Sequence, residues 1–205
     1  MLENYAKDKN GVIYQINRKP FDYDGAYIQE AYGQAPVAEM SFLRLGHLIG
    51  SIGHVPSSLL DVGYGKGDFL KAASRIIPNV SGYDVPPAYP VDGVRVVDNI
   101  YAEQYEVVTF FDSLEHFDDI YKINDLRCNY ICISLPWCHY FSDEWFSRWK
   151  HRKPNEHLWH FDDAALKRFF ANLGYEAIST CNVEDAIRRP DGDWKNILSG
   201  VFKRV

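Results

Sequence analysis

Gly63, Gly65 and Gly67 occupy alternate positions directly after the apolar pair Leu59-Leu60, the acid Asp61 and Val62. Glycine is needed where backbone runs close to a ligand or takes positive φ, which a β-carbon resists. Where a strand ends and a helix begins, such a loop holds a nucleotide-like ligand or is simply a glycine-rich turn. The spacing narrows the choice of ligand. A dinucleotide loop needs G-x-G-x-x-G, whereas here Asp68 follows Gly67 and would set a negative charge against a pyrophosphate. A P-loop is excluded as well, because no Gly-Lys-Ser/Thr follows.

Other chemistry-bearing residues fall where further strands should end. Asp84 closes Val80-Ser81-Gly82-Tyr83, where a carboxylate can accept both hydroxyls of a ribose. Asp98-Asn99 closes the run Val94–Val97, where a side chain can accept from an adenine amino group. Phe111-Asp112-Ser113-Leu114-Glu115-His116 closes the apolar run from Tyr105. Farther on, His139 follows the strand Tyr130–Leu135, and His157 and His160 share a loop before a helix. With Asp112 these histidines are the candidates for a general base, if the reaction removes a proton from a hydroxyl or amine. A zinc site from Cys128, Cys132, Cys138 and His139 is disfavoured: the spacing is not that of a C-x₂-C knuckle, and strand geometry would not converge the sulfurs. No metal is expected.

The elements that must hold these residues alternate. Asn10-Gly11 before Val12–Ile16 predicts a hairpin. Val37, Met40, Leu43, Leu48, Ile49 and Ile52 keep near-helical spacing up to Gly53. Asp68 to Ile77 reads as helix stopped by Pro78, and Leu166, Phe169, Phe170 and Leu173 as a helix capped by Asp162 and ended by Gly174. The strands are apolar on both faces, as in a parallel sheet covered on each side. Two late strands, Tyr175–Thr180 and Ile197–Lys203, lack a helix between them and should pair antiparallel. The predicted architecture is α/β: a doubly wound, Rossmann-like sheet, mostly parallel with a reversed last strand, and helices on both faces.

Composition sets the bounds. With 205 residues and 46% hydrophobic content, one core and a single domain over 1–205 are expected. Within it, residues 1–34 read as a hairpin and lid, and 136–161 as an aromatic–basic substrate cap. A net charge of −6 gives no global attraction to nucleic acid or an anionic membrane. No apolar stretch approaches the roughly 20 residues of a membrane span, and the first residues lack signal-peptide order. A reduced, cytoplasmic protein is expected.

Taken together, Asp61-x-Gly63-x-Gly65-x-Gly67, Asp84, Asp98-Asn99 and Leu114-Glu115-His116 resemble, in type and order, the landmarks of class I S-adenosylmethionine-dependent methyltransferases. The stretch Asn155-Glu156-His157-Leu158-Trp159-His160-Phe161, before the Leu166–Leu173 helix, is similar to the small-molecule branch of that family. The resemblance covers about residues 36–180. It implies S-adenosylmethionine as cofactor and S-adenosylhomocysteine as product, with donor contacts from Asp61, Gly63, Tyr64, Gly65, Gly67, Asp84, Asp98, Asn99 and Asp112. It also implies that His116 supports the loop, while Asp112 lies nearer the methyl group.

Methyl transfer from a sulfonium is an in-line displacement, to which the protein mainly supplies proximity and alignment. The acceptor is expected to be a small molecule, anionic or sugar-like. Trp137, Tyr140, Phe141, Trp145, Phe146, Trp149 and Trp159 would offer faces, and Arg148, Lys150, Arg152 and Lys153 charge. The Phe141, Trp145, Trp149 spacing equally suits a helix packing its own stripe. Two alternatives stay open: a nucleic-acid methyltransferase using that basic cluster, and a member that binds the donor without turnover.

Overall fold

A computed structural model describes residues 2–21, 37–85, 88–190 and 192–205. Its centre, among these residues, is a seven-stranded sheet built from β3 (Ser58–Val62), β4 (Asn79–Tyr83), β5 (Arg95–Val96), β6 (Gln104–Phe111), β7 (Arg127–Pro136), β9 (Tyr175–Cys181) and β10 (Ile197–Arg204). They lie in the order β5-β4-β3-β6-β7-β10-β9. The pairs from β5 through β7 are parallel. Only β10 is reversed, antiparallel to both of its neighbours. The order turns back between β3 and β6, whose carboxyl ends face one crevice where a doubly wound sheet binds its ligand.

Side-chain alternation along the strands divides the core between two faces. Leu60, Val108, Phe110, Ile131 and Ile133 pack on one face with Leu166, Phe169 and Phe170 of helix α4 (Asp163–Asn172). Leu59, Val107 and Cys132 pack on the other with Leu45 and Leu48 of α1 (Val37–Ile52) and Phe69 and Ala73 of α2 (Asp68–Ala73). Helices thus cover both faces. Asp162 caps α4 by accepting from the Ala165 N–H at 2.6 Å, and Gly174 beyond its end has φ +79°.

Helix α2 is shorter than its predicted run to Ile77. Arg75 and Ile76 tighten to bonds three residues back, to Ala72 and Ala73, and Ile77 closes on the Ala73 carbonyl before Pro78. The hairpin around Asn10-Gly11 is present as β1 (Tyr5–Lys7) against β2 (Ile13–Gln15). A third strand that sequence reading did not anticipate, β8 (Trp159–His160), pairs with β2 and ties the amino terminus to the 150s. Residues 22–34 of the expected lid lie outside the described residues, as does 35–36.

The cysteines do not converge. Cys128, Cys132 and Cys138 sit in three separate apolar clusters, and all four thiols are free. Among the described residues no helix is long and apolar enough to cross a membrane.

Candidate active site

A cavity of about 900 Å³ opens at the carboxyl ends of β3, β4 and β6. The local chain explains its inner wall. Strand β3 ends at Val62, and Gly63 then takes φ +80° while donating to the Tyr83 carbonyl at 2.7 Å. A β-carbon on Gly63 would stand 2.5 Å from that of Ser113, so the turn closes only without one. Gly65, at φ +57°, donates its N–H to Asp84 Oδ2 at 2.6 Å. The other Asp84 oxygen accepts from the Val85 N–H at 2.8 Å. Burial raises the Asp84 pKa against these two stabilising bonds. The result is a strand-end carboxylate locked to the glycine loop with its edge on the cavity.

Gly63, Gly65, Asp84, Asp98, Asn99 and Asp112 all line the cavity. Asp61, Tyr64 and Gly67, expected as donor contacts, lie off its wall and hold the loop instead. Asp61 is buried beneath it, accepts from Thr109 Oγ1 at 2.6 Å, and is pushed up to about 7 by burial. Tyr64 turns inward and donates to the Tyr89 carbonyl at 2.6 Å. Gly67 sits at φ +76° at the amino end of α2, where a β-carbon would meet Val91 Cγ2 at 2.2 Å.

Asp112 is built into a network that its sequence neighbours do not announce. It takes φ +53°, unusual for a residue with a β-carbon. Arg188 Nη1 donates to both of its oxygens, at 2.6 and 2.8 Å, and Arg44 Nη2 to one at 2.8 Å. Buried Glu184 accepts from both arginines and holds them in place. Burial alone would raise the Asp112 pKa, but the two guanidinium groups outweigh it and hold the carboxyl below its ordinary range. So paired, Asp112 has little affinity for a proton. A carboxylate held in this way is a weak base and a fixed negative charge on the wall.

The three candidate histidines also lie off the cavity wall. His139 stacks between Trp137 and Phe141, within 9° of parallel to each ring, and bonds the Lys195 carbonyl. His160 is buried among Tyr5, Phe146 and Trp149, where burial lowers its pKa to about 3. His157 is buried behind His116, the ring centroids 4.7 Å apart, and burial lowers its pKa to about 2. The histidine that does reach the cavity is His116, on the 3₁₀ turn Leu114–His116 after β6. Its pKa falls to about 4, chiefly by burial, so near pH 7 it is neutral and can accept a hydrogen bond, with little affinity for a proton of its own.

The outer wall comes from far along the chain. Arg18, Lys19, Pro20 and Phe21 face Asn155 and Leu158 across it. Asn155, at φ +67°, accepts from the Lys19 N–H and from Gln15 Nε2, while its own N–H donates to Gln15 Oε1. Arg18 lies over the Trp159 ring and donates to the Asp118 carbonyl. From the anticipated cap at 136–161, only Asn155 and Leu158 reach the cavity.

The aromatic stripe packs against itself around α3 (Asp143–Arg148), with Trp145 and Trp149 stacked and Phe146 as its buried anchor. The basic cluster is engaged locally. Arg148 pairs with Glu144, Lys153 with Glu156, and Arg152 donates to the Ser147 carbonyl. No member of that cluster lines the cavity; the cationic residues on its wall are Arg18 and Lys19.

A strand-ended glycine loop, a carboxylate locked to it and a cavity at the sheet's reversal point define a nucleoside-dependent transferase fold. A model of the methyltransferase domain matches residues 38–180. The chain belongs to this family, the class I methyltransferases that take their methyl group from S-adenosylmethionine. No curated protein matches by sequence.

Solved structures share the fold at low identity. One is the 1,6-didemethyltoxoflavin-N1-methyltransferase of Burkholderia thailandensis, with 12% identity and a TM-score of 0.61 over 98% of this chain and 99% of that one. Another is CalS10, an amino pentose methyltransferase from Micromonospora echinaspora, with 12% identity and a TM-score of 0.60 over 92% and 100%. A third is the magnesium protoporphyrin IX methyltransferase of Synechocystis, with 13% identity and a TM-score of 0.55 over 92% and 90%.

Proposed function

We propose that the chain transfers the sulfonium methyl group to an oxygen or nitrogen of a small acceptor, held between the glycine loop and the Arg18–Phe21 segment. The observation that carries this reading is the shape of the cavity. Its volume of about 900 Å³ is near the upper end of small-molecule sites, roughly 300–1,000 Å³. Two different walls bound it. Asp84 would take the ribose hydroxyls and Asp98-Asn99 the adenine edge, which leaves the methyl group directed toward His116, Asn155 and Leu158.

The chemistry asks little more than alignment. The acceptor's lone pair attacks the methyl carbon, the carbon–sulfur bond breaks, and the electron pair stays on sulfur as the neutral thioether. His116, neutral and on the cavity wall, can accept a hydrogen bond from the acceptor's O–H or N–H and so orient its lone pair toward the methyl group. Neighbours that act on a toxoflavin precursor and on an amino pentose fit a small acceptor. So does the internal pairing of the basic cluster, which leaves little to hold a phosphate backbone.

The test is release of S-adenosylhomocysteine across small hydroxylated and amine acceptors, with oligonucleotides alongside. Turnover with a small acceptor supports the reading. Turnover confined to oligonucleotides, or donor binding with no turnover in either panel, overturns it.

A further inference from the structure

Behind His116 lies a cluster that methyl transfer by alignment does not use. Glu115, His116 and His157 each offer one ligand atom, and these three atoms lie within 4.8 Å of one another. Glu115 is 1% exposed, yet neither carboxylate oxygen has a hydrogen-bond partner. An interior carboxyl with both oxygens unsatisfied is costly and calls for a partner.

The histidines around it are oriented from behind. His157 Nδ1 bonds the His151 carbonyl at 2.8 Å, which sets the proton on Nδ1 and the lone pair on Nε2. That lone pair stands 3.6 Å from Glu156 Oε1, two acceptors facing each other beside the Lys153 ammonium. His116 in turn bonds the backbone carbonyl of Glu156. Imidazoles that ligate metals are held in this way, by a carbonyl on the nitrogen turned away from the ion.

We propose that Glu115, His116 and His157 bind one divalent first-row transition-metal ion at the floor of the cavity. Two imidazoles and one carboxylate form a set that suits zinc, iron, cobalt or manganese better than magnesium or calcium, which prefer oxygen ligands. Ligands about 2.1 Å from an ion stand roughly 3.0–3.5 Å apart, so the three groups close by about an ångström on binding. Glu115, with no hydrogen bond to another residue to break, can move.

Of the three, His116 is the member on the cavity wall, so an ion held here would lie next to the cavity. On the small-acceptor reading above, the site then favours an oxygen acceptor. A bound ion would lower the pKa of the acceptor's hydroxyl, so that its proton would leave to solvent while His116 uses its lone pair on the ion. The oxygen lone pair forms the new bond to the methyl carbon, and the sulfur keeps the electrons of the broken bond.

The full chain, freed of metal with a chelator, is titrated with Zn²⁺, Co²⁺ and Mg²⁺ by calorimetry, and with S-adenosylhomocysteine in parallel. Expected are one Zn²⁺ or Co²⁺ per chain at micromolar Kd or tighter, at least tenfold weaker Mg²⁺, and about a 100-fold loss in Glu115→Gln and His157→Gln. S-adenosylhomocysteine affinity should hold within about threefold in both variants, which also reports their fold. Zn²⁺ and Co²⁺ binding weaker than about 100 μM, or unchanged in Glu115→Gln, overturns the site. An intense thiolate-to-cobalt absorption band overturns it too, by placing the ion on cysteines. Metal binding with undiminished turnover after chelation overturns the role in activating oxygen. Failure of S-adenosylhomocysteine to bind would count against the function proposed above, separately from the metal.

Discussion

The two ends of the cavity are built differently. Its inner end is local. Gly63, Gly65, Asp84, Asp98 and Asn99 each close or follow a strand of one sheet, and parallel pairing alone brings β3, β4 and β5 side by side. The outer end is assembled from distant segments. Asn155 meets Gln15 and Lys19, His116 meets His157, and Arg18 reaches the carbonyl of Asp118. An end set by backbone geometry should fail abruptly when that geometry is changed. An end set by side-chain bonds should loosen by degrees.

The strongest challenge to this contrast is Gly65→Val. Positive φ is strained for a β-branched residue, and the N–H that Gly65 gives to Asp84 depends on that conformation. S-adenosylhomocysteine affinity should fall at least 100-fold, about 2.7 kcal/mol, in a chain that circular dichroism shows folded. An unchanged Kd would remove the glycine loop from the donor site. Asp84→Ala comes next. It removes the acceptor for the Gly65 and Val85 N–H groups together with the proposed ribose contact, so donor affinity should weaken about 10- to 50-fold. If Asp84→Ala left donor affinity intact, the ribose role would be lost.

Legibility in the sequence follows the same division. Glycine spacing, strand-end acids and the Asp162 cap act over a few residues, so composition and order reveal them. The hold on Asp112 could not be read in this way. Arg44, Glu184 and Arg188 come from α1 and from the turn after β9, and nothing in their own neighbourhoods marks them as its partners. The surroundings of the histidines are hidden in the sequence for a related reason. His139, His157 and His160 share loops near the mouth, but stacking and burial decide which imidazole faces the cavity, and they favour His116. The one available clue was its place directly after a strand that ends beside the glycine loop.

Asn155→Ala probes the outer end. It removes the acceptor for Lys19 N–H and Gln15 Nε2 and puts alanine at a positive φ that asparagine tolerates better. The Arg18–Phe21 segment should loosen, raising the acceptor KM about tenfold while donor Kd changes by less than about threefold. Asn155→Gly separates the causes: it relieves the backbone but still lacks the amide, so it should stay as impaired. Equal losses of donor and acceptor affinity would show that the two ends are one structure and undo the contrast.

The smallest effect concerns Asp61, which holds the inner end from below. Burial lifts its pKa to about 7 in the folded chain, against about 3.9 when unfolded. The fold thus favours the protonated acid. Relative to a group that cannot ionise, Asp61 contributes most below pH 4, and this is lost as pH rises through about 7. Asparagine keeps an oxygen facing Thr109 and carries no charge. From pH 5 to pH 8, urea denaturation should therefore shift in favour of Asp61→Asn by about 2.6 kcal/mol, whatever the offset between the two proteins at pH 5. A pH-independent difference would mean that Arg44, whose charge also reaches Asp61, already holds the carboxylate ionised. The arginine network around Asp112 would then extend beneath the glycine loop, and the inner end would be no more local than the outer one.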